Sequence, residues 1–256
     1  MSTLRSIAVS CRERTVRLAC GSLTVSRATS ANVLRGVFEC PAYNPRLVQA
    51  FTSLCVFARR PERGRVKTRL ADEIGEDAAL EAYRECLRAT SARVAEAAPQ
   101  GAQRGPFVFG TPDGCSVDLS AYFPRWSAFM DQGEGDLGER MARAFRRLAP
   151  AILVGTDSPD LPLGHFERAF KDLESHDLVI GPAEDGGYVL IGMREAREEL
   201  FRGVPWSSPD TLRATLEKAK GLKVSVLPEW YDIDTRADLE RWKTQPAASM
   251  SPKKKQ

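Results

Sequence analysis

Ala151-Ile152-Leu153-Val154-Gly155-Thr156-Asp157-Ser158-Pro159-Asp160-Leu161-Pro162 is the stretch that decides how this chain folds. Four consecutive apolar residues read as a strand buried on both faces, as in parallel sheets covered by helices. The run ends in a turn with two carboxylates. Open α/β sheets bind ligands beyond the carboxyl ends of their strands. Hard divalent cations take oxygen ligands of this kind, and a cation so held can in turn hold phosphates. Two more acid-bearing turns lie beside predicted strands, Glu184-Asp185-Gly186-Gly187-Tyr188 and Asp232-Ile233-Asp234-Thr235. Together they point to one metal–diphosphate site gathered from distant sequence. Each turn also has a plainer reading. Asp beside Ser-Pro and Leu-Pro turns the chain, glycine after Asp185 permits a positive φ, and Asp234 or Thr235 can cap a helix.

Around this stretch, strands and helices alternate. Short apolar runs predict strands at 54–58, 107–109, near 126–130, and at 151–155, 177–180, 188–191 and 224–227. Helical spacing of apolar residues predicts helices at 76–97, 137–148, about 163–174, about 208–219 and near 236–243. In the first of these Leu80, Tyr83, Leu87 and Val94 share a face. The expectation is an α/β fold, a single domain over 49–244 with a mostly parallel central sheet and helices on both faces.

Composition excludes several classes. With 43% apolar and 28% charged residues the chain is an ordinary globule, and no apolar run nears the ~20 residues of a membrane helix. The net charge of +3 comes from the ends: residues 1–50 hold seven Arg and only Glu13 and Glu39, and Lys253, Lys254 and Lys255 close the chain. No basic stripe crosses the middle, so nucleic acid is a poor partner. Residues 1–48 have the composition of an organellar transit peptide or a disordered extension, and residues 245–256 that of a disordered tail. The expected location is cytoplasmic, or organellar if residues 1–48 are a transit peptide. Cys11, Cys20, Cys40, Cys55, Cys86 and Cys115 match no CxxC or zinc spacing. Buried free thiols in a reducing compartment are expected.

The first predicted strand leads into Ala58-Arg59-Arg60-Pro61-Glu62-Arg63-Gly64-Arg65-Val66-Lys67-Thr68-Arg69-Leu70, with five Arg and one Lys before a helix. Such a position suits phosphate, and Lys67 and Arg69 are the phosphate candidates; a solvated basic loop is the ordinary alternative. It is not a P-loop, because Val66 stands where glycine would precede the lysine. His165 and His176 have no metal or triad spacing, and His165 is expected at the surface. G-x-S-x-G is absent. Among the tryptophans Trp206, in Val204-Pro205-Trp206-Ser207-Ser208, is the one placed to line a pocket.

The motifs, in order, resemble a known family. Phe57-Ala58-Arg59-Arg60-Pro61 and Gly64-Arg65-Val66-Lys67-Thr68-Arg69-Leu70 open the series. Gln132-Gly133, Asp136-Leu137-Gly138-Glu139-Arg140-Met141 and the three acidic turns follow, with Leu200-Phe201 and Trp206-Ser207 before the last of them. Over about residues 54–242 the chain resembles the radical-SAM/selenodomain-associated transferase 1 family, also described as arsenosugar-biosynthesis-type glycosyltransferases. That resemblance implies a GT-A-like nucleotide-diphospho-sugar transferase fold. It also implies transfer from a nucleotide-sugar donor to a small acceptor with Mg²⁺ or Mn²⁺. By the same resemblance Phe57, Ala58, Arg59, Pro61, Gly64, Lys67, Arg69 and Gly133 bind nucleotide. Asp157, Asp185 and Asp234 hold the metal, Asp160 and Asp185 serve catalysis, and Gly186, Gly187, Tyr188 and Trp206 line the substrate. Asp160 is left open between metal ligand and general base. Arg59 stands where the family usually has Lys, and Ser208 where it has Thr. A nucleotidyltransferase releasing pyrophosphate from an NTP is the second reading, and a nucleotide-binding scaffold the third.

Overall fold

In chain order the elements are β1 (Ser53–Arg59), α1 (Thr68–Ile74), α2 (Glu76–Ala97), β2 (Phe107–Thr111), α3 (Ser116–Ser120), β3 (Ala128–Asp131), α4 (Leu137–Leu148), β4 (Ala151–Val154), α5 (Leu163–Asp172), β5 (Leu178–Pro182), β6 (Tyr188–Met193), a 3₁₀ turn (Glu198–Phe201), α6 (Thr211–Lys218), β7 (Val224–Val226) and α7 (Arg236–Thr244). The computed structural model describes residues 52–98, 106–123 and 127–244. The expectations for residues 1–48, Trp126 and residues 245–256 lie outside the described residues, as do Cys11, Cys20 and Cys40.

The seven strands form one sheet in the order β3-β2-β1-β4-β6-β5-β7. β1 pairs in parallel with β2 on one side and β4 on the other. The chain therefore leaves β1 in one direction, returns, and continues in the other. That reversal opens a crevice at the carboxyl ends of β1 and β4. β6 runs antiparallel between β4 and β5, with Val154 opposite Leu190 and Pro182 opposite Tyr188. The start of β6 thus reaches the same sheet edge as the ends of β1, β4 and β5.

Two cores follow from the period-two alternation of strand side chains. Leu54, Val56 and Ala58 pack with Tyr83, Leu87 and Val94 of α2 and Phe166 and Phe170 of α5. Cys55 and Phe57 face the other side, with Met141 and Phe145 of α4 and Phe201. Cys55, Cys86 and Cys115 are free and buried. α4 begins at a capping box in which Asp136 accepts from the Glu139 N–H and Glu139 from the Asp136 N–H, at 2.8 and 3.0 Å. The helix stops at Ala149 because Pro150 follows it. No helix among the described residues is long and apolar enough to cross a membrane.

A third, smaller core decides where the last acidic turn goes. Leu70 of α1, Ala79, Ala82 and Cys86 of α2, and Leu239 of α7 enclose Tyr231 and Ile233. With Tyr231 and Ile233 turned inward, Asp232 and Asp234 are left on the opposite side. His165 corrects an expectation: it is buried, not at the surface, with Nε2 3.0 Å from Pro228 O and its ring edge-on to Trp230. Burial lowers its pKa. The helix expected from 208 starts at Thr211, after a turn in which the Ser208 carbonyl accepts from the Thr211 N–H at 3.0 Å.

Ile233→Ala should remove the centre of the third core. We expect a loss of roughly 2–5 kcal/mol in urea unfolding.

Candidate functional site

A cleft of about 610 Å³ lies at the carboxyl ends of β1 and β4. Arg59, Arg65, Lys67 and Arg69 come from the loop after β1 and the start of α1. Gly155–Ser158 follow β4, and Asp232 and Asp234 come from the segment before α7. Gln132, Leu137, Arg140 and Met141 form the wall beside β3 and α4, and Tyr188 and Trp206 close the end beside β6.

The six cations of the β1 loop divide by partner. Arg60 pairs with Asp118 at 2.9 Å, and Arg63 with Glu76 and Asp77 at 2.5 and 2.7 Å, which fastens the loop to α3 and α2. Lys67 takes a left-handed backbone, φ 48°, at the start of α1. Its side chain is only 3% exposed. The ammonium donates to Ile233 O at 2.6 Å, contacts Asp157 Oδ1 and lies 4.0 Å from Asp234 Oδ1. Arg69 reaches Asp234 Oδ2 at 3.1 Å. Burial alone would lower the Lys67 ammonium, but Asp157, with a smaller contribution from Asp234, holds it above its ordinary value. Among the described residues Arg59 and Arg65 make no ion pair.

Asp232 is placed behind Asp157, where it accepts from Ser158 Oγ. Burial first, then the charges of Asp157, Asp185 and Asp234, push its carboxyl up to about 7, although the Ser158 hydroxyl opposes the shift. Asp234 is raised too, by burial and by Asp157 and Asp185, against Lys67 and Arg69. Four carboxylates thus feel one another across the cleft floor. Their hard oxygens suit Mg²⁺ or Mn²⁺, and the acids outnumber the two cations beside them. Among the described residues no three acidic, histidine or cysteine side chains converge on one point; Lys67 stands between Asp157 and Asp234 instead.

Hydrogen bonds hold this floor. The Asp157 carbonyl accepts from the Ile233 N–H at 2.8 Å. Asp160 accepts from Trp230 Nε1 at 3.2 Å and from the Tyr231 hydroxyl at 2.6 Å. Thr235 caps α7: its hydroxyl accepts from the Asp238 N–H while Asp238 accepts from the Thr235 N–H. Asp234 is therefore free of the capping role. Tyr83, buried on α2, accepts from the Arg59 N–H at 2.8 Å and donates to Arg59 O at 3.1 Å. Its hydroxyl also meets Thr156 Oγ1 at 3.4 Å, so one ring ties the ends of β1 and β4.

The family described as "Uncharacterized protein conserved in bacteria (DUF2064)" matches residues 92–208. A crystal structure from Desulfovibrio desulfuricans G20, of an inferred nucleotide-diphospho-sugar transferase, is 31% identical. It covers 78% of this chain and 91% of its own, with a TM-score of 0.68. The chain belongs to the same family as that protein. Its fold is that of the nucleotide-diphospho-sugar transferase group. Two remoter structures are 4-diphosphocytidyl-2C-methyl-D-erythritol synthase of Anaerococcus prevotii DSM 20548 and Rv0371c of Mycobacterium tuberculosis H37Rv with manganese. The first is 12% identical over 76% of this chain and 96% of its own, TM-score 0.48. The second is 16% identical over 74% and 97%, TM-score 0.41. No feature of these two is carried to this chain. No curated protein matches it.

Phe57, Ala58, Arg59, Lys67, Arg69, Asp157, Asp234, Tyr188 and Trp206 line the cleft. Pro61, Gly64, Gly133, Asp160, Asp185, Gly186 and Gly187 do not. Asp185 acts on the floor through its charge and accepts from the Gly187 N–H at 2.9 Å. Gly133, at φ +77°, accommodates the Arg143 guanidinium. Gly186, at φ +87°, lies against the backbone of Pro209: a Cβ there would come within 2.6 Å of Pro209 Cα. Sequence reasoning passed over Asp232, Gln132, Arg140 and Tyr83 as site residues. Asp232 had a signal, since Asp-x-Asp in an extended segment puts both acids on one side. Tyr83 had none, because its apolar spacing marked it as core.

Folded Asp232 keeps its proton up to about pH 7, whereas the unfolded chain releases it near the ordinary 3.8. The native state binds more protons between those values, so stability falls as pH rises through that window and levels off above it. Asp232→Asn removes this slope. Thermal unfolding should show the variant gaining on the wild type from pH 4.5 to pH 8; a constant difference would contradict the placement of Asp232.

Proposed function

We propose that this protein is a transferase acting on a nucleotide-activated donor, and that its reaction is glycosyl transfer from an NDP-sugar to a small acceptor. The observation behind this reading is the cleft at the β1–β4 switch point, where cationic, carboxylate and apolar walls meet. The family relationship supports it, because the 31%-identical relative is described as an inferred nucleotide-diphospho-sugar transferase. The resemblance to the radical-SAM/selenodomain-associated branch, in Phe57–Leu70 and the acidic turns, is part of the same proposal.

In this reading the base enters beside Phe57 and Ala58 and the diphosphate lies over Arg59, Arg65 and Arg69, whose N–H donors suit phosphate oxygens. Lys67 acts beneath them, fixing Asp157 and Asp234. The apolar end formed by Tyr188 and Trp206 receives the transferred group and the acceptor. Asp157, Asp232 and Asp234 would hold Mg²⁺ or Mn²⁺. Bound there, such an ion would supply charge to offset that of the leaving group. Asp160, engaged by Trp230 and Tyr231, positions the Asp232–Asp234 segment. Ser207 beside Trp206 has φ 57°, the sort of backbone strain that gathers at working sites.

Product analysis tests the proposal. The full chain is incubated with Mg²⁺ or Mn²⁺, a panel of NDP-sugars or NTPs, and small hydroxyl or thiol acceptors. Release of an NDP with a glycosylated acceptor is the expected result. Pyrophosphate from an NTP would establish nucleotidyl transfer instead, and ligand binding without any product would favour the scaffold. Asp157→Asn should lower turnover about 100-fold or more, in line with losing a charge-stabilising group, with its unfolding midpoint close to wild type. Undiminished turnover would overturn the role of Asp157.

A further inference from the structure

Gln132 directly follows β3 and is 4% exposed, yet it lines the cleft. Its backbone N–H donates to Gly110 O at 2.9 Å, which holds the residue against β2. Its side-chain Nε2 donates to two backbone carbonyls, Ala58 O at 3.2 Å and Phe109 O at 3.0 Å. An amide has two ends, and only the NH₂ end can meet carbonyl oxygens. The orientation is therefore fixed by chemistry and not by convention. The Oε1 atom must face the other way, and no donor reaches it among the described residues. That oxygen keeps access to solvent in a residue that lines the cleft, so it is an acceptor open to a ligand.

Arg140, one turn into α4, flanks the same wall. Its Nε donates to Gly135 O at 2.9 Å and its Nη1 reaches Thr111 Oγ1 at 3.5 Å. A guanidinium has five N–H donors, so further donors remain on the cleft side. The same cleft is thus lined by a fixed acceptor, Gln132, a cationic donor, Arg140, and the apolar side chains of Phe57, Leu137 and Met141.

We infer that Gln132 and Arg140 read the nucleobase of the donor, and that they select a lactam base, guanine or uracil, over an amino-imine base, adenine or cytosine. This rests on the nucleotide reading above. A lactam edge presents N–H beside C=O: the ring N–H donates to Gln132 Oε1 and the carbonyl accepts from Arg140. Adenine and cytosine present the reverse order, a ring nitrogen lone pair beside NH₂. Against this wall the lone pair meets Oε1 and the amino group meets the guanidinium. Gln132 cannot rotate its amide to suit them without giving up both backbone carbonyls.

The test compares isosteric pairs on the unaltered full chain by titration calorimetry with Mg²⁺. IDP is set against ADP, and UDP against CDP; in each pair the members differ at this edge. Whichever ring size the cleft accepts, the lactam member should bind roughly 10- to 100-fold tighter, the range expected for a paired hydrogen-bond mismatch. GDP against UDP then tells which lactam base is used. Arg140→Met should shrink the preference to about threefold or less while leaving nucleotide binding measurable. Measurable binding with no lactam preference in either pair would overturn this inference and leave the nucleotide reading intact. No binding of any of the five nucleotides would instead overturn the nucleotide reading, and this inference with it.

Discussion

One buried ammonium holds the cleft edge of the sheet in shape. Lys67 joins the turn after β4, through Asp157, to the segment before α7, through Ile233 O and Asp234. These pieces lie far apart in sequence and belong to no common element. Removing the charge would leave Asp157, Asp232, Asp234 and Asp185 to repel one another over a partly buried floor. Breaking one side of such a pair is far more damaging than replacing the whole of it. Lys67 makes these contacts from a left-handed backbone at the start of α1.

Around that ion the structure separates holding from working. Arg60 and Arg63 hold the loop to its neighbours, and Arg59, Arg65 and Arg69 face the cleft. Asp160 holds Trp230 and Tyr231, while Asp157, Asp232 and Asp234 gather on the floor. Gln132 does both at once, since its amide nitrogen ties β1 to β2 while the residue lines the cleft. A surplus of carboxylate charge makes the floor less stable than a neutral one at neutral pH. That is the usual relation between a site and the stability of its scaffold.

Much of the fold was legible because its signals are local. The apolar runs at 54–58 and 151–154 and the helical periods over 76–97 and 137–148 report burial through side-chain spacing alone. The same logic misjudged His165: a histidine near a helix start gives no local sign of the carbonyl of Pro228 waiting above it. It also left β6 undirected. A strand buried on both faces reads the same in either orientation, and only its pairing with β4 and β5 makes the sheet mixed.

Taken alone, the sequence determined an α/β sheet, its strand ends, and three acidic turns that belong together, because strand and turn chemistry are set by near neighbours. The tertiary structure decided which member of each turn faces the cleft. Asp157 and Asp160 are three residues apart in one turn, and packing of Trp230 and Tyr231 takes the second away. Asp232 and Asp234 look like a helix cap until Thr235 and Asp238 take that role between them. Side-chain direction depends on what is buried on the other side of the backbone, and that partner comes from elsewhere in the chain.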